Sequence, residues 1–183
     1  MSCCGSEKSS CCASGVQDEK AQVAVVRRTL EVEFLYLDRM ICERCKGTET
    51  VIKEAVEEAQ RILGPTGVEV SLKMTHVQTE EQAIALGFVS SPTMRIMGRD
   101  ATVDVKENEC KGCGDLGGCD ITCRVWTWQG KEFSVPPKAM LLDAILRDAY
   151  LHPSDGRFLP KPLETLPENL KKFFQGVRGR ARK

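Results

Sequence analysis

Leu30-Glu-Val-Glu-Phe-Leu-Tyr-Leu37 and, after a gap of four residues, Cys42-Glu-Arg-Cys45 form the stretch that decides the fold. The first segment alternates apolar and polar residues and then becomes continuously apolar. This pattern is typical of a strand with a half-exposed start and a buried end in a covered sheet. From Thr48 to Leu63 apolar residues recur at spacings of three and four, which predicts an amphipathic helix that Gly64-Pro65 ends. The sequence therefore predicts a buried strand that leads through a Cys-x-x-Cys motif into a helix.

Strand-like and helix-like patterns continue along the rest of the chain. The predicted strands are 68–77, 93–97 and 102–105, and 124–133 predicts a strand and the end of a hairpin. The predicted helices are 79–86 and 136–150. Gly98-Arg-Asp100 predicts a turn, and 167–174 predicts one or two amphipathic helical turns. A cysteine-rich loop, 107–123, is inserted in this series. Because strands and helices alternate, we expect an α/β fold.

The order of these elements resembles that of the thioredoxin superfamily. The resemblance rests on Cys42-Glu-Arg-Cys45 at a strand-to-helix junction and on Ser91-Pro-Thr93 at the start of a later strand. It covers about residues 29–150. It implies a thioredoxin-like mixed sheet of about four or five strands with flanking helices on both faces. It also implies that Pro92 follows a cis peptide bond and lies near Cys42.

Cys42 and Cys45 form the first candidate site. A thiol at a helix N-terminus faces unpaired N–H groups and the positive end of the helix dipole, and both stabilise a thiolate. Arg44 adds a nearby cation. We therefore expect a low pKa for Cys42 as the nucleophile, with Cys45 as the resolving thiol and Pro92 beside the pair. The alternative is a pair of buried, unreactive cysteines, because burial raises the pKa of a thiol.

Four further cysteines form the second candidate site, within fourteen residues rich in glycine: Cys110, Cys113, Cys119 and Cys123. Four thiolates this close in sequence can surround a tetrahedral zinc ion or an iron–sulfur cluster. The spacing Cys-x2-Cys-x5-Cys-x3-Cys differs, however, from that of a two-knuckle zinc ribbon. Three interpretations are open: zinc or another thiophilic metal or metalloid, disulfides that exchange with Cys42 and Cys45, or cysteines without a role. If strand 102–105 doubles back, the loop can reach Cys42.

Two vicinal pairs near the N-terminus form the third candidate site: Cys3, Cys4, Cys11 and Cys12. They resemble the vicinal-cysteine tail of arsenite metallochaperones, in which the pairs lie at the C-terminus. The resemblance implies capture of a soft ion, because trivalent arsenic takes three thiolates and mercury(II) prefers two. The alternative is a low-complexity tail with incidental thiols.

Composition excludes several classes of protein. Twenty-six basic and twenty-six acidic residues give a formal net charge of zero, which argues against bulk attraction to nucleic acid or anionic membranes. Residues 1–19 lack the apolar core of a secretory signal, and no segment has the roughly 20 apolar residues of a membrane span. We therefore expect a cytoplasmic protein with reduced thiols. Its expected parts are a flexible tail at 1–28, a thioredoxin-like domain at 29–150 and a C-terminal extension at 151–183.

These sites predict a cytoplasmic thiol protein that binds or transfers a soft metal or metalloid, such as arsenic or mercury, or exchanges disulfides. Its partner would be the ion or a thiol–disulfide partner protein, with no organic cofactor, nucleic acid or membrane. One alternative is a dedicated thiol–disulfide oxidoreductase in which the loop cysteines are a second redox pair. Another is a structural zinc protein with an inert Cys-x-x-Cys. The patterns leave open whether the loop meets Cys42.

Overall fold

The computed structural model describes residues 27–102, 104–113, 121–151 and 157–181. The first half of the described chain contains β1 (Arg28–Tyr36), α1 (Glu43–Leu63), a short 3-10 turn (Gly64–Thr66), β2 (Val68–His76) and α2 (Glu80–Ala85). The second half contains β3 (Thr93–Ile96), β4 (Arg99–Asp100), β5 (Lys106–Glu109), β6 (Thr122–Trp128), β7 (Lys131–Phe133), α3 (Lys138–Leu151) and α4 (Glu168–Ala181).

The larger sheet has four strands in the order β2-β1-β3-β4. β1 and β2 are parallel, as the crossover through α1 requires, and β3 is antiparallel to both β1 and β4. The smaller sheet is antiparallel, in the order β5-β6-β7. The predicted α/β class, with a mixed sheet and flanking helices, is confirmed.

The core lies between β1 and the apolar face of α1. Val32, Phe34 and Leu35 of β1 are fully buried, and α1 buries residues at spacings of three and four along its length. This is the spacing that the sequence predicts for the helix. The C-terminal helix α4 contributes Leu170 and Phe173 to the same hydrophobic cluster. The division of the chain at residue 150 stays a prediction, and α4 packs on the body of the protein.

Arg124 of β6 connects the smaller sheet to the larger one through a backbone hydrogen bond and an ion pair. Its backbone N–H donates to the carbonyl of Ser91 at 2.8 Å, directly before Pro92. Its fully buried guanidinium forms an ion pair with Asp100 of β4 at 2.7 Å. These contacts hold the smaller sheet against the loop that precedes β3. Because β1 and β3 are antiparallel, this loop lies beside the end of β1.

Several predicted elements differ in detail from the structure. Residues 102, 104 and 105 are not in a strand, whereas 99–100, predicted as a turn, forms the short strand β4. The helix α4 has fourteen residues and extends well beyond the predicted amphipathic turns. Among the described residues, none of the helices has the length and apolar character needed to cross a membrane. Residues 1–26 of the predicted tail lie outside the described residues, and Arg28, predicted as its last residue, is the first residue of β1.

Candidate metal centre

Four cysteine sulfurs from two distant parts of the chain meet in one buried group: Cys42, Cys110, Cys113 and Cys123. All four sulfur atoms lie within 4.8 Å of one another. The sulfur of Cys42 is 3.7 Å from that of Cys110, and the sulfur of Cys113 is 3.4 Å from that of Cys123. The cysteine-rich loop therefore does reach the Cys-x-x-Cys motif.

The sulfur separations are those of a coordination site. A disulfide bond is about 2.05 Å long, and all five described cysteines are free. Four thiolates at about 2.3 Å from a tetrahedral zinc ion lie about 3.8 Å from one another. Two of the separations, 3.4 and 3.7 Å, are close to that edge length, and the others do not exceed 4.8 Å. This buried four-cysteine group could hold a metal ion.

Cys42 reaches the group from the end of the larger sheet. It follows the chain segment after β1 and is the N-cap residue of α1, with an extended backbone conformation. Its carbonyl accepts the first intrahelical bond, from the N–H of Lys46 at 3.0 Å. Its side chain makes no capping hydrogen bond. The sulfur therefore stands at the positive end of a 21-residue helix and is free to bind an ion.

The other three sulfurs come from the β5–β6 hairpin. Cys110 directly follows β5, and its N–H donates to the carbonyl of Ile121 at 2.8 Å, which continues the hairpin ladder by one residue. Cys113 lies in a helical turn, 111–113, and its sulfur lies 3.4 Å from that of Cys123. Cys123 lies on β6, opposite Asn108. Two strands and one turn thus direct three sulfurs to the same point.

Gly112 allows the turn to approach Cys42 closely. A Cβ atom at this position would lie 2.9 Å from the carbonyl oxygen of Ile41 and 3.2 Å from the Cα of Cys42. Both contacts are with backbone atoms, which cannot move aside as the end of a side chain can. Any residue larger than glycine would therefore push the hairpin away from α1.

Arg44 connects the start of α1 to both strands of the hairpin. Its guanidinium donates to the carbonyls of Glu109 at 2.6 Å, Cys123 at 3.3 Å and Asn108 at 3.5 Å. The sequence predicts Arg44 as a cation that stabilises the thiolate of Cys42. The structure directs the guanidinium to backbone oxygens that flank two of the metal-ligand candidates.

Cys45 is a fifth thiol beside the four-cysteine group. Its buried sulfur lies 3.4 Å from the hydroxyl of Ser91, and that hydroxyl accepts the N–H of Leu37 at 3.1 Å. The next peptide bond, Ser91–Pro92, is cis, as the thioredoxin resemblance implies. Pro92 therefore belongs to the loop that supports Cys45.

The site lowers the pKa of two of the five buried thiols and raises the pKa of the other three. Hydrogen bonds to its sulfur from Cys110, Cys113, Cys123 and Cys45, in that order of strength, hold the pKa of Cys42 well below its ordinary value although burial opposes this. The hydrogen bond to Cys42 and then burial raise the pKa of Cys45. A hydrogen bond from Cys113 is the main cause that lowers the pKa of Cys110 to about 7. Negative charge thus gathers on Cys42, where a cation would replace the shared protons.

The remaining two thiols of the group have raised pKa values. Hydrogen bonding with Cys110 is the main cause for both Cys113 and Cys123, and burial acts in the same direction. Both thiols therefore act as donors toward the sulfurs that carry charge. Binding of a metal ion would require them to lose their protons, so that affinity would fall at acid pH.

The structure brings together only part of the predicted cysteine sites. Cys119 lies outside the described residues, and so do the four tail cysteines: Cys3, Cys4, Cys11 and Cys12. Sequence reasoning left open whether the loop meets Cys42, and it missed Ser91 and the close approach of Gly112 to the start of α1. The sequence did contain a signal for the role of Gly112: in Cys110-Lys-Gly-Cys113 a glycine stands directly before the second cysteine, which is typical of a tight turn.

Comparison with known protein families gives one match. Residues 30–145 match the model of a family described as a domain of unknown function (DUF2703). This region contains the Cys-x-x-Cys motif and the β5–β6 hairpin, and it ends before α4 and begins after the tail cysteines. No curated protein and no solved structure matches the chain.

Proposed function

This chain belongs to the DUF2703 family, and we propose that it binds one thiophilic divalent metal ion, for which zinc is the best candidate. The ligands are the sulfurs of four cysteines: Cys42, Cys110, Cys113 and Cys123. The observation that carries the proposal is the mutual approach of these four sulfurs to within 4.8 Å in a buried site. A cluster of several irons would hold its thiolates further apart, because each iron binds its own cysteine.

The number of ligands favours zinc over a metalloid. Zinc in structural sites is bound by four protein ligands in a tetrahedron. Trivalent arsenic takes three thiolates and would leave the fourth sulfur without a role. Because four protein sulfurs fill the tetrahedron, a substrate has no open position on the ion. The site is therefore suited to holding and releasing a metal rather than to metal-centred catalysis.

We also propose that the protein is a member of the thioredoxin superfamily. The sheet order β2-β1-β3-β4, with β1 and β2 parallel and β3 and β4 antiparallel, supports this assignment. The cis bond before Pro92 and the position of Cys42 at the start of α1 also support it. A reducing compartment such as the cytoplasm would keep the described thiols free.

A second candidate function is thiol–disulfide exchange through Cys42 and Cys45. It is supported by the position of both cysteines at the start of α1 and by their opposite pKa shifts, lowered for Cys42 and raised for Cys45. Two exposed apolar residues, Met40 and Ile41, directly precede Cys42 and provide a surface for a partner protein. In this function Cys42 attacks a disulfide and Cys45 resolves the mixed disulfide.

Metal analysis of full-length protein that is purified and reduced without oxygen tests the first function. We expect one zinc ion in the four-cysteine site, and tetrahedral thiolate absorption when cobalt(II) replaces zinc. A binding free energy of about 10–16 kcal/mol shared by four ligands gives about 100-fold weaker binding, or more, on losing one ligand. Cys110→Ser should show this loss in a competition titration.

Cys45→Ser is the matched control, because it removes a buried cysteine of the same motif outside the ligand group. It should bind zinc as the wild type does. The tail thiols can bind zinc independently, so each variant is also made with serine at all four of those positions: Cys3, Cys4, Cys11 and Cys12. Equal affinity in the Cys110→Ser and Cys45→Ser proteins, both in the tail-serine form, would contradict the proposed site.

A further inference from the structure

We infer that metal binding and a Cys42–Cys45 disulfide exclude each other, so that oxidation of this pair releases the metal. The inference rests on the proposed metal site and names its regulation. Its basis is that one sulfur, that of Cys42, belongs to both arrangements. It lies in the four-sulfur group, and it is also the first sulfur of the Cys-x-x-Cys motif.

The first turn of α1 brings the two thiols together. Cys42 is the N-cap residue, and Cys45 is the third residue of the helix. These are the two positions of a capping box, in which each side chain reaches the backbone N–H of the other residue, so side chains placed there lie close together. Both residues are fully buried. The backbone of α1 therefore already holds Cys45 beside Cys42, and no large rearrangement is needed to join them.

Cys45 is otherwise without a metal-binding role. Its sulfur is not among the four that approach one another, and it rests 3.4 Å from the hydroxyl of Ser91. The loss of Cys45 should thus leave the metal ligands in place. The loss of the Cys42 sulfur to a disulfide, by contrast, leaves only the three hairpin sulfurs for the ion.

The oxidation is a two-electron thiol–disulfide exchange with a small disulfide such as oxidised glutathione. The sulfur–sulfur bond of oxidised glutathione breaks, and that of Cys42–Cys45 forms. Two electrons pass from the protein sulfurs to glutathione, which leaves as one thiol and one thiolate. The thiol proton of Cys45 goes to the first glutathione released, and the second takes its proton from water. The metal ion leaves to solvent as the Cys42 thiolate is consumed.

Thermodynamic linkage sets the size of the effect. Because the disulfide form has lost one of four ligands and binds the ion at least about 100-fold more weakly, zinc that saturates both forms favours the dithiol by at least that factor. For a two-electron couple this lowers the reduction potential of the pair by at least about 59 mV. The ratio of oxidised to reduced glutathione needed for half oxidation of the pair should rise with zinc by the same factor.

The test uses the full-length, zinc-loaded protein, and the wild-type and variant domains both carry serine at the four tail positions so that the tail holds no zinc. The proteins are kept in glutathione buffers of graded ratio, under argon and to equilibrium because both sulfurs are buried. Released zinc is measured with a colorimetric chelator, and the disulfide is located by mass spectrometry. Trypsin cleaves after Arg39, Arg44 and Lys46, so this disulfide appears as peptide 40–44 joined to peptide 45–46. We expect release and the linked peptide to rise together.

Cys45→Ser is the matched variant, and Cys45→Ala replaces it if serine disturbs the core. It keeps all four ligands and every other cysteine outside the tail, so it should retain zinc at ratios that empty the wild type by half. Release at the same ratio from both proteins would overturn the inference, and so would a linked peptide with zinc still bound, or no release from the wild type. If the reduced wild type binds no zinc, the proposed function itself fails.

Discussion

The guanidinium of Arg44, in the first turn of α1, donates a hydrogen bond to the backbone carbonyl of Cys123 on β6 at 3.3 Å. The same side chain donates to the carbonyls of Glu109 and Asn108 on the facing strand. One residue between the two cysteines of the Cys-x-x-Cys motif thus holds both strands of the hairpin that supplies three sulfurs. The relation makes the approach of Cys42 to the hairpin dependent on Arg44.

Arg44→Met should weaken zinc binding by about 10–100-fold, the range found when partners that orient metal ligands are lost. Methionine keeps much of the side-chain bulk but donates no hydrogen bond, so the hairpin carbonyls lose their link to α1. A zinc competition titration measures the change. The zinc affinity of Arg44→Lys, which keeps a single donor group, should lie between those of the wild type and Arg44→Met. Unchanged affinity in Arg44→Met would show that the hairpin needs no such link.

Gly112→Ala should separate the turn 111–113 from the start of α1. The added Cβ would lie 2.9 Å from the carbonyl oxygen of Ile41, so the backbone must shift. We expect a loss of stability of about 1–3 kcal/mol, as for overpacking, and weaker zinc binding. Gly179→Ala is the control, because a Cβ there meets nothing within 4 Å. Urea unfolding and the cobalt(II) spectrum measure the two effects, and equal behaviour of the two variants would contradict the close contact.

Much of the fold follows from local pattern. β1 and α1 bury their apolar faces against each other, and each buried face leaves a regular pattern of apolar residues in the local sequence. The sequence alone therefore predicts both elements. The short strand β4 has only two residues, and its ladder with β3 is a tertiary feature that no local alternation encodes. The full length of α4 is not encoded locally either. Its buried residues are near its start, and its last turns are mostly polar and lack the apolar spacing that would predict a helix.

The four-cysteine group was predictable in its parts but not in its assembly. Sequence spacing marks Cys42 and the loop cysteines as separate groups, and 68 residues separate Cys42 from Cys110. Their meeting depends on the docking of Arg124 against Ser91 and Asp100, which are long-range contacts. The spacing of residues along the chain holds no information about such contacts. For that reason the sequence analysis grouped Cys42 with Cys45 of the same motif and not with the hairpin cysteines.

Ser91→Ala should destabilise the protein by about 1–3 kcal/mol, because the buried N–H of Leu37 loses its acceptor. Ser90→Ala is a close control. The hydroxyl of Ser90 is buried and has no hydrogen-bond partner among the described residues, so its removal should be neutral or slightly stabilising. Urea unfolding of both variants measures the difference. A larger loss in Ser90→Ala would contradict the assigned role of the Ser91 hydroxyl.

Glu33 should make stability depend on acid pH. Burial of this carboxyl acts to raise its pKa, but hydrogen bonds from Lys73 and Thr75 together with the charge of Lys73 outweigh it, and the pKa lies below 4.5. A carboxyl whose pKa is lower in the folded state stabilises above its unfolded pKa, and that contribution is lost as pH falls through the folded pKa. The unfolding free energy should therefore fall below about pH 4.5.

Glu33→Gln isolates that contribution. Glutamine can still accept the hydroxyl of Thr75 but forms no ion pair with Lys73, whose ammonium lies 2.9 Å from the carboxylate. At pH 7 the variant should be less stable by about 1 kcal/mol. The gap should narrow as pH falls below about 4.5, because the folded-state pKa of Glu33 is lowered. A gap that stays constant in chemical unfolding as the pH is lowered further would show that Glu33 is not the titrating group.

Removal of zinc should lower the stability of the protein, because an ion held by the four proposed ligands would join α1 to the β5–β6 hairpin. An ion that binds only the folded state at 100 times its dissociation constant stabilises that state by about 2.7 kcal/mol. For a chain of this size, the midpoint of thermal unfolding should fall by about 5–10 °C when a chelator is added. Cys45→Ser should show the same shift, since its four ligands are intact, and Cys110→Ser should show a small one. A shift that is equal in all three proteins would mean that zinc acts elsewhere on the chain, and the tail cysteines would then be the first place to look.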